Sequence, residues 1–549
     1  AYSQVQDTLS SHYRLALNGL GGPNCDPVNG TPGEGNLAYA ASGGDFNAGK
    51  CYYFNPYGNS RVSRDGTKQT DLKLKNPKEL YQYMLGRATS DSEFRQYVWD
   101  VVASGDLWEM KNGSVQLAVG MQLREDNAEV VFDAAANTNN LDFAYGAQDW
   151  QGKLSTMAFF AEIGVPITDT LDINVAGRYE KIDEISADTV DPKISALWQP
   201  TDSLNFRASY SGSFRVPSAQ QLFGSITTVA NETDYTGESA FKPSITRGNP
   251  KLKPEKATSW NMGVSFIPQE GALEGLQVDF DYYNYKYKDI ITRQSGSNIL
   301  RADNDQLKTY LKSNPTATIA EAVTAGIGNR KQVIRNEQGV MLRILPDFLN
   351  ANSATVRGVD ITASYSFDNR LGDWRLGMQW AHVLKYEVDV KGSDGKIITY
   401  DAVGKYNDRN PVARPLPEKK INGTLNWSRG KHRAFAIVKY IDEVDYEHDI
   451  ATDSGSSAAR YWKQTVTLAH GASTAKKYFT KGIKKFVTLD LQYTYVLGEL
   501  GILADSTVTL GVQNVFNQEP PWVPVNTGFD ATLHDPRGRI FLLRMSGSM

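Results

Sequence analysis

The chain has 549 residues, 40% hydrophobic and 22% charged, with 28 Tyr, 21 Phe and a formal net charge of -4. That balance lacks the clustered basic excess nucleic acid selects, so nucleic-acid partners are excluded. Mean hydropathy is -0.43 and no apolar run reaches the roughly 20 residues of a membrane-spanning helix, which leaves membrane strands, apolar only at alternate positions, as the one spanning option.

In chain order, the start AYSQVQDTLSS has neither the basic nor the apolar part of a secretion signal, so a removed leader or a longer parent chain is expected. A Gly- and Pro-rich stretch then carries the only two cysteines, Cys25 and Cys51. No second pair or nearby His completes a zinc site; a loop disulfide in an oxidising compartment is expected, with two reduced thiols as the alternative. Loop closure by such a bridge stabilises by about 3 to 4 kcal/mol. Tyr52, Tyr53, Phe54 and Tyr57 follow directly. From Asn76 or Pro77 to about Gly105 the apolar spacing is helical, as it is again around Thr309 to Ala325.

From about residue 104 onward the dominant period is two. Val115, Leu117, Val119, Met121 and Leu123 alternate with Gln116, Ala118, Gly120, Gln122 and Arg124. Leu204, Phe206, Ala208 and Tyr210 alternate with Asn205, Arg207, Ser209 and Ser211, and Val359, Ile361, Ala363, Tyr365 and Phe367 with Asp360, Thr362, Ser364 and Ser366. Each reads as a strand with one apolar and one wet face, and about fifteen such strands are expected, the last near 539 to 549.

The connections alternate strictly. Short turns precede Ser114, Leu171, Leu204, Trp374 and His432, whereas long polar segments run roughly 125–153, 215–257, 291–352, 387–417, 443–484 and 515–537. Elaborate loops on one side and tight turns on the other are the pattern of an outer-membrane barrel, so the expected fold is an all-β, antiparallel transmembrane β-barrel with short helices in its extracellular loops. Trp198, Trp374 and Trp427 all lie beside short turns on apolar faces and read as one interfacial girdle. Along the next strand Trp374, Leu376, Met378, Trp380, His382, Leu384 and Tyr386 are expected to share the lipid face. Residues 1–103 read as an extracellular loop region with Cys25, Cys51 and a helical segment, and 104–549 as barrel strands with long loops. An odd strand count cannot close a bacterial barrel, so further strands are expected upstream.

FRVPSAQQLF (214–223), GNPKLKPEKATSWNMGVSF (248–266), LQVDFDYYNYKYKDIITR (276–293), GVQNVFNQEPPW (511–522) and DPRGRIFLLRM (535–545) resemble, in order, spacing and strand context, the C-terminal barrel of TonB-dependent outer-membrane receptors. Residues 1–103 resemble only a subgroup with a Cys-bridged GGPNC loop. The resemblance implies a barrel of about 22 strands, of which this chain holds about 15. It further implies an N-terminal plug, a TonB box and first strands outside this chain, and import of a scarce ligand driven by the TonB–ExbB–ExbD complex. Ferric siderophores, cobalamin, glycans and peptides are the ligand classes implied; outer-membrane lipid and a surface lipoprotein are the other implied partners. Where the family usually ends in an aromatic this sequence has Met549, although Phe541, Leu543 and Met545 still alternate toward one face.

Read as residues, Pro217, Pro243, Pro250 and Pro254 bracket a loop and stop it extending neighbouring strands, while Asn514 and Asn517 satisfy backbone groups where a strand ends. Ligand contacts are expected from Tyr52, Tyr53, Phe54 and Tyr57, from Tyr235, Phe241 and Arg247, and from Trp522 and Phe529, against the plainer reading that loop aromatics pack the loops together. No HExxH, GxSxG or CxxC occurs and His12, His382, His432, His448, His470 and His534 are scattered, so neither an enzyme nor a metal site or cofactor is expected. A passive porin is the alternative function.

Overall fold

The computed structural model describes residues 2–30, 51–142, 148–329, 331–391, 397–407, 414–445, 467, 482–501, 503–523 and 528–548. β1 (Tyr2–Thr8) and the helix Ser10–Leu17 precede a helix Lys78–Met84 that runs straight into β2 (Leu85–Met110). β3 (Gly113–Phe132), β4 (Trp150–Thr168), β5 (Leu171–Ile182), β6 (Ala187–Thr201) and β7 (Leu204–Arg215) follow. The helix Ala219–Phe223, β8 (Ser225–Thr233) and β9 (Ser239–Arg247) lie between β7 and the pair β10 (Glu255–Phe266) and β11 (Leu276–Arg293). Helices Gly296–Ser313 and Ile319–Thr324, β12 (Val333–Arg335) and β13 (Met341–Ile344) come before β14 (Phe348–Asn369), β15 (Gly372–Lys391) and the short β16 (Ile397–Asp401). β17 (Lys419–Arg429), β18 (His432–Ile441), β19 (Val444–Asp445), β20 (Gly482–Ile483), β21 (Phe486–Leu500), β22 (Leu503–Gln513) and β23 (Ile540–Ser548) complete the order.

One sheet contains 17 of these strands, paired antiparallel in chain order from β2 to β23. β1 and β16 only extend the loop-side ends of β2 and β15; without them the sheet has the fifteen strands that the alternation predicts. Its apolar face stays uncovered: Val119, Leu123, Val175, Tyr210, Phe280, Leu376 and Met378 are all exposed, which suits hydrocarbon and not water. The girdle beside the short turns is built by contact. Trp374 and Trp427 are register partners with ring centroids 6.1 Å apart, Phe367 stacks on Trp374 at 6.4 Å, and Trp198 stacks on Phe206 at 5.2 Å.

Four expectations need correction. The segment from Asn76 to Gly105 is helical only over Lys78–Met84; from Leu85 it is strand, so the wall begins well before residue 104. Apolar residues on both faces of β2, with Val98 beside Trp99 and Val101 beside Val102, imitate a helical period, and twenty register pairs with β3 decide the matter. The stretch from Thr309 to Ala325 is two helices, broken at 314–318 where Pro315 cannot continue the first. Pro243 does not bracket a loop but sits inside β9, opposite Val229. Along β15 the lipid-facing series ends at His382. The register with β14 jumps from Arg357↔Lys385 to Gly358↔Val383, leaving Leu384 unpaired, and this bulge turns Tyr386 to the polar face. His382, at the loop-side end of that series, lies 2.9 Å from Glu418 Oε1, which gives its polar ring a partner at the rim.

The sheet is not closed among the described residues. β2 beyond Asp91 is paired with β3 alone, and β23 with β22 alone.

Candidate functional site: the polar inner wall and its loop clusters

Register places the polar side chains of β7, β10, β11, β14 and β15 in rows across one face, because paired residues project to the same side. One row holds Arg207, Gly263, Asp281 and Asp360. The next, nearer the long loops, holds Ser209, Asn261, Tyr283 and Gly358, and the one above it Ser211, Ser259, Tyr285, Val356 and Tyr386. The row above that holds Ser213, Ala257, Tyr287 and Ala354.

The lowest row is an ion-pair network. Arg207 donates through Nε to Asp281 Oδ1 at 2.9 Å, through Nη2 to Asp281 Oδ2 at 2.5 Å and through Nη1 to Ser265 Oγ at 2.6 Å, and Ser265 Oγ donates to Asp279 at 2.5 Å. A Cβ at Gly263 would collide with both Asp281 Oδ1 and Arg207 Nε, so glycine is what lets the two-pronged pair form. A cavity of about 640 Å³ lies against this network, lined also by Asn174, Asp172 and Asn261. Above it, Tyr283, Tyr285 and Tyr287 form a ladder with centroids 5.6 and 6.3 Å apart. Tyr283 lies across β14 where residue 358 is glycine; a Cβ there would fall on the Tyr283 hydroxyl.

The motifs at 214–223 and 248–266 clasp each other at the rim. Arg215 donates to both oxygens of Glu255 at 2.6 and 2.7 Å, and Glu255 Oε1 also accepts the Ile291 amide at 2.7 Å. Ser218 and Gln221 form a capping box, Asn249 donates to the Phe348 carbonyl at 2.7 Å, and Leu222, Leu252, Ile291 and Phe348 pack as one core. These motif residues are structural. The same is true of Asn514, whose amide bonds Gln518 O, and Asn517, which accepts the Arg539 amide at 2.9 Å.

The nine loop residues expected to touch ligand fall into three separate clusters. In the first, the Cys25–Cys51 disulfide forms as expected, and Tyr52 is buried with Ala16, Leu80 and Met84. Phe54 packs edge-on against Tyr13 and Tyr81; Tyr53 is half-buried and only Tyr57 is open to solvent, at 71%. Tyr52 is therefore a core residue, which favours the packing reading for it. In the second, β8, β9, β13 and β12 form a four-stranded sheet beneath the helix Gly296–Ser313. Arg335 is fully buried there, bridging Asp234 at 2.7 Å and Asp303 at 2.8 Å, with the Tyr235 ring 5.6 Å from its guanidinium. Burial and the Asp234 charge raise the Tyr235 hydroxyl pKa. Arg247 pairs with Asp347 at 3.0 Å, while Phe241 is 70% exposed. The third contains the half-buried Trp522 and Phe529 near buried His534. Burial, aided by the Lys420 charge and opposed by Asp530, lowers the His534 pKa to about 4. His448 and His470 lie outside the described residues.

The ladder and Arg207 are absent from the expected contacts, although the signal was present for three of the tyrosines. In DFDYYNYKY, Asp279, Asp281, Tyr283, Tyr285 and Tyr287 share one parity. Tyr386 has no such signal, because only the bulge brings it to that face.

A membrane β-sheet wall, apolar on one face and polar on the other, with folded surface loops is the class this arrangement defines. The sequence matches the family described as TonB dependent receptor-like, beta-barrel over residues 7–515, and the chain belongs to that family, whose place is the bacterial outer membrane. Similar solved structures include a variant of the ferric enterobactin receptor PfeA of Pseudomonas aeruginosa in complex with enterobactin, at 15% identity and a TM-score of 0.52, with 85% of this chain and 55% of that one covered. The same receptor in complex with BCV-L6 gives 15% and 0.52, covering 83% and 54%. The siderophore receptor PirA of Acinetobacter baumannii gives 13% and 0.49, covering 88% and 56%. The chain thus spans little more than half the length of these receptors.

Proposed function

We propose that this chain is the barrel part of an energised outer-membrane receptor that binds a scarce ligand at the cell surface and releases it inward. The observation that carries the reading is the polar, ion-paired inner wall with folded loop clusters at its long-loop end, in a chain of the TonB-dependent receptor family. A passive porin needs no such folded loop clusters. On this reading an N-terminal plug and TonB box, contributed by further chain, couple the barrel to the TonB–ExbB–ExbD complex and the proton gradient, and the open edges of β2 and β23 are closed by further strands. Of the loop candidates, Tyr57, Phe241 and Arg247 have the exposure a ligand contact requires.

The test is accumulation of ferric siderophore, cobalamin, oligosaccharide and peptide probes in cells expressing the whole receptor, with and without a proton uncoupler. Uptake of one probe that stops when the gradient collapses is the expected result. Uptake that follows the outside concentration and ignores the uncoupler would establish the porin instead.

A further inference from the structure

Within the tyrosine ladder of the inner wall Tyr283 fills the space over Gly358, whereas Tyr285 and Tyr287, opposite Val356 and Ala354, have no such glycine beneath them. Tyr283, Tyr285 and Tyr287 rise along β11 toward the long loops, and the bulge at Leu384 adds Tyr386 in the same row as Tyr285. Among the described residues none of the four hydroxyls has a hydrogen-bond partner, so the rings are not held there to complete an internal network. On the β10 and β7 side the rows continue in small residues, Ser259 and Ala257, then Ser211 and Ser213, up to Lys193 of β6 beside Ser211. The rings therefore stand above a shallow floor that carries hydroxyls, with Ser211 and Ser259 bonded at 2.7 Å. At its lower end the ladder meets Asp279, Asp281 and Asp360, with Arg207 paired to Asp281 and Lys420 in the same register row beyond Ala381.

Each part selects a ligand type. A row of ring faces at roughly even spacing packs the C–H faces of successive sugar rings, since the negative face of an aromatic ring attracts weakly positive hydrogens. Free phenol hydroxyls and serines exchange hydrogen bonds with ligand hydroxyls, and carboxylates accept from them. We propose that this wall is a track for an oligosaccharide, entered at Tyr287 and Tyr386 and leading down past Tyr285 and Tyr283. The inference rests on the import reading above and names its substrate class.

The experiment is equilibrium binding by calorimetry to the whole receptor in detergent, with maltohexaose, cellohexaose, xylohexaose, chitohexaose and a ferric catecholate as probes. One hexasaccharide is expected to bind saturably. Tyr285→Ala and Tyr287→Ala should each weaken it roughly tenfold, whereas Tyr285→Phe, which keeps the ring, should lose only a fraction of that. Unchanged heat-modifiable gel mobility of the variants shows that the barrel is intact. No hexasaccharide binding, or binding equal in wild type and both alanine variants, overturns the proposal. Uptake with the uncoupler is scored separately: energised uptake of another probe without saccharide binding sinks the track and leaves the import reading standing, and saccharide binding with passive uptake does the reverse.

Discussion

Arg335 is the residue whose replacement should tell most about the loop structure. Its side chain has no exposed surface, and its two carboxylate partners come from different segments, Asp234 from the β8–β9 turn and Asp303 from the helix Gly296–Ser313, itself fully buried. Removing one partner of a buried ion pair leaves an uncompensated charge, a loss of about 3 to 5 kcal/mol. Arg335→Ala should therefore free the loop sheet while leaving the wall intact; hydrogen exchange that rises in residues 225–247 and 296–344 but not in β10 or β11 is the expected pattern. Gly358 tests close packing in the wall. With a Cβ at 358 placed on the Tyr283 hydroxyl, Gly358→Val should cost about 1 to 3 kcal/mol of overpacking. Most of that cost should vanish in the Gly358→Val, Tyr283→Ala double variant, because the two changes share one contact. Additive unfolding shifts would show that Tyr283 does not lie where the structure puts it.

Strands were legible one at a time wherever one face is apolar, as with Val359 to Phe367 on β14, because a one-residue slip would carry the whole apolar set to the wrong side. Legibility failed where that condition fails. β2 carries large apolar groups on both faces, so its period was read as helical, and β15 changes parity at a single unpaired residue that no alternation can announce. The loop elements were least legible: the four strands β8, β9, β12 and β13 are short, and what orders them is a buried arginine bridging distant segments rather than a local pattern. The third loop cluster makes a prediction in pH. His534 is buried beside Asp530, which accepts from the Tyr406 hydroxyl at 2.9 Å, and its ring meets Phe486 edge-on at 5.1 Å. A histidine released to water titrates near its ordinary 6.5, but held here it titrates near about 4. The opened loop thus binds a proton that the closed loop refuses between those values. Stability of the cluster is full above pH 6.5 and falls on acidification to about 4, by on the order of 3 kcal/mol in all. Exchange of the Leu533 and His534 amides, both bonded to Asp530 O, should accelerate in that window after correction for intrinsic rates. The acceleration should be lost in His534→Gln; an equal response there would move the cause to another group.

At the scale of the whole molecule, strand direction constrains how the barrel closes. Among the described residues fifteen wall strands alternate in direction from β2 to β23, so the first and the last run the same way, from the long loops toward the short turns. They cannot pair antiparallel with each other. Closure with antiparallel pairing throughout needs an odd number of added strands, and the first of them must run opposite to β2, the direction β1 already takes along Leu85–Asp91. Seven such strands would complete a barrel of about 22. In lipid the requirement is energetic as well as geometric, since each unpaired amide or carbonyl in hydrocarbon costs several kcal/mol and β2 presents a free row from Ser92 to Met110. Residues 1–549 expressed alone in an outer membrane should therefore fail to yield a folded band whose gel mobility changes on heating, and should be degraded. Co-expression of a segment that supplies the odd number of strands closure requires should restore that band. A heat-modifiable, protease-resistant barrel formed by these residues alone would require β2 and β23 to pair in parallel, or one wall strand to be expelled, and either result would refute the open-sheet account of the fold.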